Sequence, residues 1–292
     1  MDYLTSLFHN QCAVVEQSSN STKPPCKQQP TMGCCRVDIA IGVPNSWSSL
    51  FCYSIKKVDV ATGLIYSADL DDPDLENCWI GMVRILGCDI SIRYEADAVK
   101  STWSQEMCNK FCKLLSYAGN FGPCCLEISR ISVVHNDTTQ LLETLIANRS
   151  FTEVAIIKVQ HLIKLIETGL RNWINSGNLI YLTVEDSAIQ MDFTSNFITQ
   201  PQVLKIIDNS ENKDSLSRIL EYWHECPQSL QGKEVKLRLP PKFENCLEKY
   251  GNTISKGSKS AKSFVFIQHK MYNDCVVIVE VHSVFKANLF FR

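Results

Sequence analysis

Two cysteines have a spacing that metal binding would require. Cys108 and Cys112 are four residues apart in a segment with helical periodicity, so both would lie on one face of that helix and could bridge a metal. A structural site needs a third and a fourth ligand, and these would have to come from elsewhere in the chain. We therefore interpret the two thiols as packing residues, and we predict neither a metal nor a cofactor.

Two histidines, His224 and His135, are candidate catalytic residues by residue type. His224 and Cys226 flank Glu225 and superficially suggest a Cys–His pair. They are predicted at a helix end, where neighbours at i and i+2 do not face each other. His135 follows a predicted strand, at an edge where ligands can bind, but a polar turn residue explains it equally well. We expect neither position to be catalytic.

Two charged segments would suit ion or phosphate binding. Residues 69–76 (DLDDPDLE) are acidic, but they lack the glycine and the terminal glutamate of an EF-hand loop. Residues 256–263 (KGSKSAKS) are basic and rich in serine and glycine, which is typical of a solvated loop. We predict a solvated acidic turn and a solvated loop.

Motifs of the common enzyme classes do not occur in the chain. The glycine segments 119–122 and 251–257 lack the spacing of a P-loop or a dinucleotide fingerprint. Neither a G-x-S-x-G elbow nor an H-E-x-x-H motif occurs. We predict a non-enzymatic protein. The alternative is an enzyme with a non-standard cysteine-containing site, which the cysteine content would support.

Composition restricts the class of protein and its compartment. The 292 residues include 14 cysteines and carry a net charge of −2, which gives no general argument for binding nucleic acid or an anionic membrane. Neither a basic n-region followed by an apolar core nor an apolar run of membrane-spanning length is present. We expect a cytoplasmic or nuclear protein with reduced thiols that pack as small hydrophobes.

The element that organises the chain lies at residues 151–186. It combines a β-branched strand at 154–159, a helix at 161–176 with one apolar face, and a second strand at 179–184. Gly177-Asn178 suits a left-handed end of that helix. Two strands joined by one helix are normally parallel, with a right-handed crossover.

Strand starts at Leu126, Val154, Leu179 and Val203 follow one another at 28, 25 and 24 residues. A strand and a helix repeating at this period indicate a degenerate leucine-rich-repeat-like array. The predicted fold is α/β, with a largely parallel curved sheet preceded by a β-rich segment. The outward-facing strand residues Lys158, Tyr181 and Thr183 are the candidates for partner contact. The predicted core residues of the unit are Val154, Ile156, Leu162, Ile166, Leu170, Leu179 and Leu182.

The chain divides into five predicted regions. These are a helix at 1–16, a flexible linker at 17–32, a β-rich segment with one helix at 33–122, the strand–helix repeats at 123–252, and a loop with a terminal β-hairpin at 253–292. In the β-rich region a helix at 102–117 is predicted, with Thr102 as its cap. In the next, Asp137 or Thr138 is predicted to cap a helix that runs to about Asn148.

Several stretches resemble the nematode F-box and F-box-associated proteins. They are the Met1-Asp2 start with Leu4 and Phe8 on one helical face, the helix at 102–117, the LEISRISVV strand, the repeats with SFTEVAIIKV and GNLIYLTVED, and the segment QGKEVKLRLPPKFENCLEKYG. The resemblance covers roughly residues 33 to 251 in pattern. Thr5 stands where the family has a proline, so the sequence matches only the first helix of an F-box.

The resemblance implies a protein-binding function without catalysis. In that family the F-box binds the Skp-type adaptor of a cullin–RING ubiquitin ligase, and the repeat module captures a substrate. Only Leu4 and Phe8 match the adaptor-binding face. The expected protein is a substrate receptor with a truncated F-box, whose partners are proteins and neither nucleic acid nor a membrane.

Overall fold

A computed structural model of the chain describes residues 35–44, 51–87, 104–117, 123–189, 197–209, 214–241, 243–259, 262–283 and 286–292. Residues 33–292 belong to one compact unit. The predicted helix at 1–16 and the predicted linker at 17–32 lie outside the described residues. No helix in the described ranges is both long enough and apolar enough to cross a membrane.

The described strands form one mixed sheet of 13 strands. In chain order they are β1 (Cys35–Val43), β2 (Cys52–Asp59), β3 (Ile65–Ala68), β4 (Trp79–Gly87), β5 (Cys125–Ser129), β6 (Glu153–Ile157), β7 (Tyr181–Glu185), β8 (Lys205–Asn209), β9 (Glu234–Arg238), β10 (Gly251–Lys259), β11 (Lys262–His269), β12 (Val276–Ser283) and β13 (Lys286–Phe291). Across the sheet the order is β10-β11-β12-β13-β9-β8-β7-β6-β5-β4-β1-β2-β3.

Strands β1 and β4 to β9 are parallel to one another, as expected from the strand–helix–strand pattern. The remaining strands add antiparallel to either side of this parallel centre. The predicted α/β class is therefore confirmed. The predicted boundary at 122/123 does not divide the sheet, because β4 pairs with both β1 and β5.

The described α-helices are α1 (Gln105–Tyr117), α2 (Asn136–Asn148), α3 (Ile163–Asn175), α4 (Ser215–Glu225) and α5 (Phe243–Tyr250). Single turns of 3-10 helix cover Pro73–Asn77 and Pro227–Leu230. Gly177 follows α3 with φ 73, the left-handed end that the sequence predicts.

Helices α1 to α4 each lie between consecutive parallel strands, α5 follows β9, and the apolar faces of the helices pack on the sheet. Alternate residues of the strands face these helices and are buried, as the row Val83, Leu126, Val154, Leu182, Ile206 and Val235 illustrates. Helix residues such as Leu145, Leu170 and Trp223 belong to the same core. Of the predicted core residues of the central unit, Leu162 differs, because it is half-buried in a left-handed turn before α3.

Two predicted helix caps differ from the structure. Ser104 accepts a hydrogen bond from the Met107 N–H at the start of α1, whereas Thr102 lies outside the described residues. His135, and neither Asp137 nor Thr138, caps α2: its Nδ1 accepts from the Asp137 N–H at 3.3 Å. A histidine ring can replace the usual Ser, Thr, Asp or Asn because it also offers an acceptor to the first-turn N–H groups.

The C-terminal region contains more strand than predicted. Residues 256–263 are predicted to form a solvated loop, but β10 covers the first half of this segment and pairs with β11, which covers its end. Polar serine and lysine residues are tolerated there because β10 lies at one edge of the sheet that the described strands form. The predicted terminal hairpin is thus the middle pair of a four-stranded antiparallel meander, β10 to β13.

Candidate protein-interaction surface

The side chains of the parallel strands that point away from the helices form a surface, which we call the outer face. Strand alternation places every second residue there, and strand pairing aligns these residues in rows. One row runs Met82, Cys125, Glu153, Tyr181, Lys205 and Glu234. The next row runs Arg84, Glu127, Ala155, Thr183, Ile207 and Lys236. Most of these side chains are half-buried, so the face is a largely polar surface of closely spaced groups.

Tyr181 and Thr183 lie on β7, in the middle of the parallel strands. Tyr181 stands between Glu153 on β6 and Lys205 on β8. Both candidate residues are half-exposed, while the intervening Leu182 is buried in the core. The structure therefore places these two predicted contact residues next to each other on the outer face.

Lys158, the third predicted contact residue, is not in a strand. Strand β6 ends at Ile157, and Lys158 follows in a left-handed conformation with φ 54, exposed at the carboxyl end of the sheet. Arg130 after β5 and Asp186 after β7 have the same conformation at equivalent positions. The Lys158 N–H donates to the Glu185 carbonyl at 2.8 Å, and the Arg130 N–H donates likewise to Ile157. Lys158 thus borders the outer face and does not contribute to its rows.

Charge on the outer face is partly neutralised by ion pairs between neighbouring strands. Arg84 Nε lies 3.3 Å from Glu127 Oε2, and Lys205 Nζ lies 3.1 Å from Glu234 Oε2. Both pairs are partly exposed, so each contributes at most about 1 kcal/mol to folding. Their main effect is to fix the side chains in place, which reduces the entropy lost when a partner binds.

Glu153 differs from these paired carboxylates. Burial raises the pKa of its carboxyl group, and a hydrogen bond from the Cys125 thiol, 3.7 Å from Oε2, opposes that shift only in part. A carboxylate beside Tyr181 that is short of solvation gains from a donor supplied by a bound partner. Glu153 is therefore a candidate contact residue that sequence reasoning missed, because its burial depends on its strand neighbours.

The outer face continues onto the antiparallel strands with apolar side chains. Glu234 pairs with Phe290 on β13, which is followed in the same row by Ile278 on β12 and Phe266 on β11. All three are half-buried. The alternation of these strands could have identified the row from sequence, but their pairing order could not be predicted.

The cysteines suggested as metal ligands are packing residues. Cys108 is fully buried, and its Sγ contacts the Asp137 carbonyl at 3.8 Å and Gln140 Oε1 at 3.6 Å. Burial raises the pKa of Cys108 to about 12 and that of Cys124 likewise to about 12, so neither supplies a thiolate at neutral pH. Among the described residues, no group of three or more Cys, His, Asp or Glu side chains is arranged to hold a metal.

His224 is paired with a histidine and not with Cys226. Its ring stacks on that of His269 at 5.2 Å, and its carbonyl lies 2.9 Å from His269 Nε2. The Nδ1 of His269 accepts N–H bonds from Met271 and Tyr272, which leaves the proton on Nε2 to donate to His224. Both ring nitrogens of His269 therefore serve structure, joining the β11–β12 turn to the end of α4.

The acidic segment 69–76 is paired with lysines. Lys57 Nζ lies 3.2 Å from Asp72 and 3.3 Å from Asp74, while Lys110 Nζ lies 2.7 Å from Asp71. A hydrogen bond from the Asp74 N–H, followed by the Lys57 contact, holds the pKa of Asp72 below its usual value. The cleft between this segment and α1 has a volume of about 240 Å³. That is smaller than most small-molecule sites. The lysine contacts attach the β3–β4 connection to β2 and α1.

Leu4 and Phe8, the predicted adaptor contacts, lie outside the described residues. The chain was compared with protein-family models, with curated proteins and with solved structures, and none of them matches it. Only the chain's own residues therefore bear on its function.

Proposed function

We propose that the chain is a non-enzymatic protein-interaction module that binds a protein partner through the outer face. The observation that carries the proposal is the alignment of polar and aromatic side chains from consecutive strands around Tyr181 and Thr183. Such a face extends over several strands, which suits a protein surface better than a small molecule, whose sites are concave.

A leucine-rich-repeat-like organisation of the parallel strands is part of the proposal. Arg130, Lys158 and Asp186 recur at intervals of 28 residues with the same left-handed conformation, and backbone hydrogen bonds join the successive turns. Each repeat contributes one strand to the outer face, so a partner would contact several repeats at once. Repeat proteins commonly use extended sheet faces in this way.

The resemblance to F-box-associated proteins motivates a more specific form of the proposal. In this form the chain is a cytoplasmic or nuclear substrate receptor, Leu4 and Phe8 contact the Skp-type adaptor of a cullin–RING ligase, and the outer face captures the substrate. Adaptor binding and substrate capture use residues in different parts of the chain, so a variant at Leu4 or Phe8 is expected to leave the outer face intact.

Titration of the full-length chain with purified Skp-type adaptor tests the receptor form. Binding that is lost in a Leu4→Asp, Phe8→Asp double variant, and kept in Thr183→Arg, is the expected result. Absence of binding by the unmodified chain would reject the receptor form and leave the interaction module.

Photo-crosslinking tests the interaction module itself. A photoreactive phenylalanine analogue at position 181 is expected to give discrete adducts with a partner protein in cell extract. The same analogue at Tyr272, which is 41% exposed in the β11–β12 turn, serves as the control. Equal labelling from both positions would contradict a specific role for the outer face.

The alternative function, an enzyme with a cysteine-containing site, requires a thiol whose pKa is lowered. The described cysteines with a departure from the ordinary value are Cys78, Cys108, Cys124 and Cys275, and burial raises the pKa of each. These four thiols therefore support core packing over catalysis.

A further inference from the structure

The two edges of the sheet differ in how they are protected against pairing with another strand. Edge strand β10 carries an irregularity between Thr253 and Ser255 and exposes Lys256. Bulges and lysines are the usual means of preventing edge-to-edge association. Edge strand β3, at the opposite end of the sheet, pairs regularly with β2 and has no charged residue from Ile65 to Ala68.

The β3 edge also exposes an unusual amount of apolar surface. Val60 is 52% exposed, Leu64 54%, Ile65 61% and Tyr66 52%. All four belong to the β2–β3 hairpin, with Leu64 and Tyr66 on one face of the strand and Ile65 on the other. An exposed, regular and apolar edge strand is the feature expected where another strand adds to a sheet.

The backbone of β3 offers an ordered set of donors and acceptors at this edge. The Asp59 N–H donates to the Leu64 carbonyl at 2.9 Å, which makes these residues a hydrogen-bonded pair. Antiparallel pairs alternate, so Tyr66 with Lys57 is the next hydrogen-bonded pair, while Ile65 and Ser67 belong to non-hydrogen-bonded pairs. Ile65 and Ser67 therefore point their N–H and C=O groups away from β2, and none of the hydrogen bonds between described residues uses these four groups.

We propose that β3 is a self-association site, at which a second copy of this chain adds its own β3 antiparallel and continues the sheet across a two-fold axis. Placing the axis at Tyr66 pairs Ile65 of each copy with Ser67 of the other. Two residues that form such a pair exchange both N–H···O bonds. This register satisfies all four free backbone groups of each copy with residues of β3 alone.

The side chains agree with the same register. Tyr66 faces Tyr66 of the second copy in a non-hydrogen-bonded pair, the closer kind of cross-strand neighbour, and Leu64 faces Ala68. Because Leu64 to Ala68 are uncharged, no like charges are placed opposite each other.

The apolar surface at the β3 edge is small compared with a stable interface, so the dimer is expected to be reversible and dependent on concentration. Strand β3 lies six strands from β7, which makes this surface independent of the outer face.

Sedimentation of the full chain over a range of concentrations tests the proposal. The mass is expected to rise from 33.1 kDa toward twice that value with increasing concentration. Ser67→Pro removes an outward N–H, and proline is tolerated on edge strands, so this variant should remain folded and monomeric. Ile254→Lys on β10, where Ile254 is 55% exposed, is the matched control and should still dimerise.

A disulfide trap gives a second readout, because a covalent bond retains a dimer that would otherwise dissociate. In Tyr66→Cys the two introduced thiols would face each other across the axis, and copper phenanthroline with oxygen would oxidise both thiols to one disulfide while oxygen is reduced. Leu64→Cys faces Ala68 and should not crosslink.

A protein that stays monomeric at every concentration, or a dimer that crosslinks equally at positions 64 and 66, would overturn the proposed site. Loss of dimer in Ile254→Lys would do the same. Dimerisation that persists in Thr183→Arg would separate this result from any failure of the outer face.

Discussion

Burial of Glu153 makes the folded protein sensitive to pH at the centre of the outer face. The pKa of this carboxyl group is raised above its ordinary value of 4.5, so the fold favours the protonated form. For a raised acid, the stabilising contribution is complete below the unfolded pKa and is lost as pH rises through the folded pKa.

Glu153→Gln is therefore expected to raise the free energy of unfolding near pH 7, where the native carboxylate is charged, and to change it little near pH 4. Urea denaturation at both pH values measures the difference. Glu143→Gln, at an exposed position on α2, is the control and should show no such dependence. Equal effects of Glu153→Gln at both pH values would show that the carboxylate is well solvated.

Lys233 is a buried cation with a structural task. Its Nζ donates to the carbonyl of Ile198 and, at 2.8 Å, to that of Gln200, at the end of a helical turn. Burial lowers the pKa of this amine, and the carbonyl contacts replace the water that it loses.

Lys233→Met is expected to destabilise the protein by about 2 kcal/mol, because it removes the charged donor from the Ile198 and Gln200 carbonyls, the second of which keeps a bond from the Val203 N–H at 3.2 Å. The measurement is the free energy of unfolding. Lys236→Met, on β9 and half-exposed on the outer face, should change it by less than about 0.5 kcal/mol. Similar losses from both substitutions would mean that Lys233 acts through packing of its methylene groups alone.

At the scale of elements, the end of β4 comes unusually close to the turn after β5. A Cβ at Gly87 would lie 1.7 Å from the Arg130 carbonyl oxygen. Only glycine fits there, since a side-chain carbon cannot approach a backbone oxygen so closely.

Gly87→Ala is expected to destabilise the fold by several kcal/mol or to prevent folding, because strand and turn must separate. Gly257→Ala on β10 is the control, since an added Cβ meets no atom within 4 Å there. Thermal unfolding of both variants provides the comparison. A Gly87→Ala protein as stable as the control would show that the turn after β5 moves freely.

The repeated strand–helix elements could be predicted from sequence because hydrophobic periodicity determines them locally. Strands β5 to β8 and helix α3 lie within a few residues of their predicted positions, and Tyr181 and Thr183 point outward as the alternation requires. Lys158 was assigned to a strand because β-branched composition does not reveal a left-handed turn at a non-glycine residue. Strand β10 was missed because an edge strand needs no apolar face.

At the scale of the whole molecule, sequence reasoning could not provide the pairing of distant strands. Strands β1 and β4 lie side by side, as do β9 and β13, so the N-terminal and C-terminal antiparallel regions extend one central sheet. These contacts join residues far apart in the chain and depend on the whole fold. The burial of Glu153 and the exposed β3 edge follow from that pairing, so neither could be predicted from local pattern.

Because the described helices pack on one side of the sheet, the rows of the outer face lie on its other side. A large charged side chain at its centre would disturb the rows on both sides of β7. The same change on the helix side would leave the outer face intact, which provides a matched pair of variants.

The most direct test of the protein-interaction function is the affinity of the crosslinked partner for Thr183→Arg and for Thr168→Arg, measured by titration of the full-length chain. Thr168 is exposed on α3, so the control adds the same side chain away from the outer face. A loss of affinity of about 100-fold or more in Thr183→Arg, with Thr168→Arg unchanged, is the predicted result. Equal affinities of the two variants would contradict the assignment of the outer face as the binding surface.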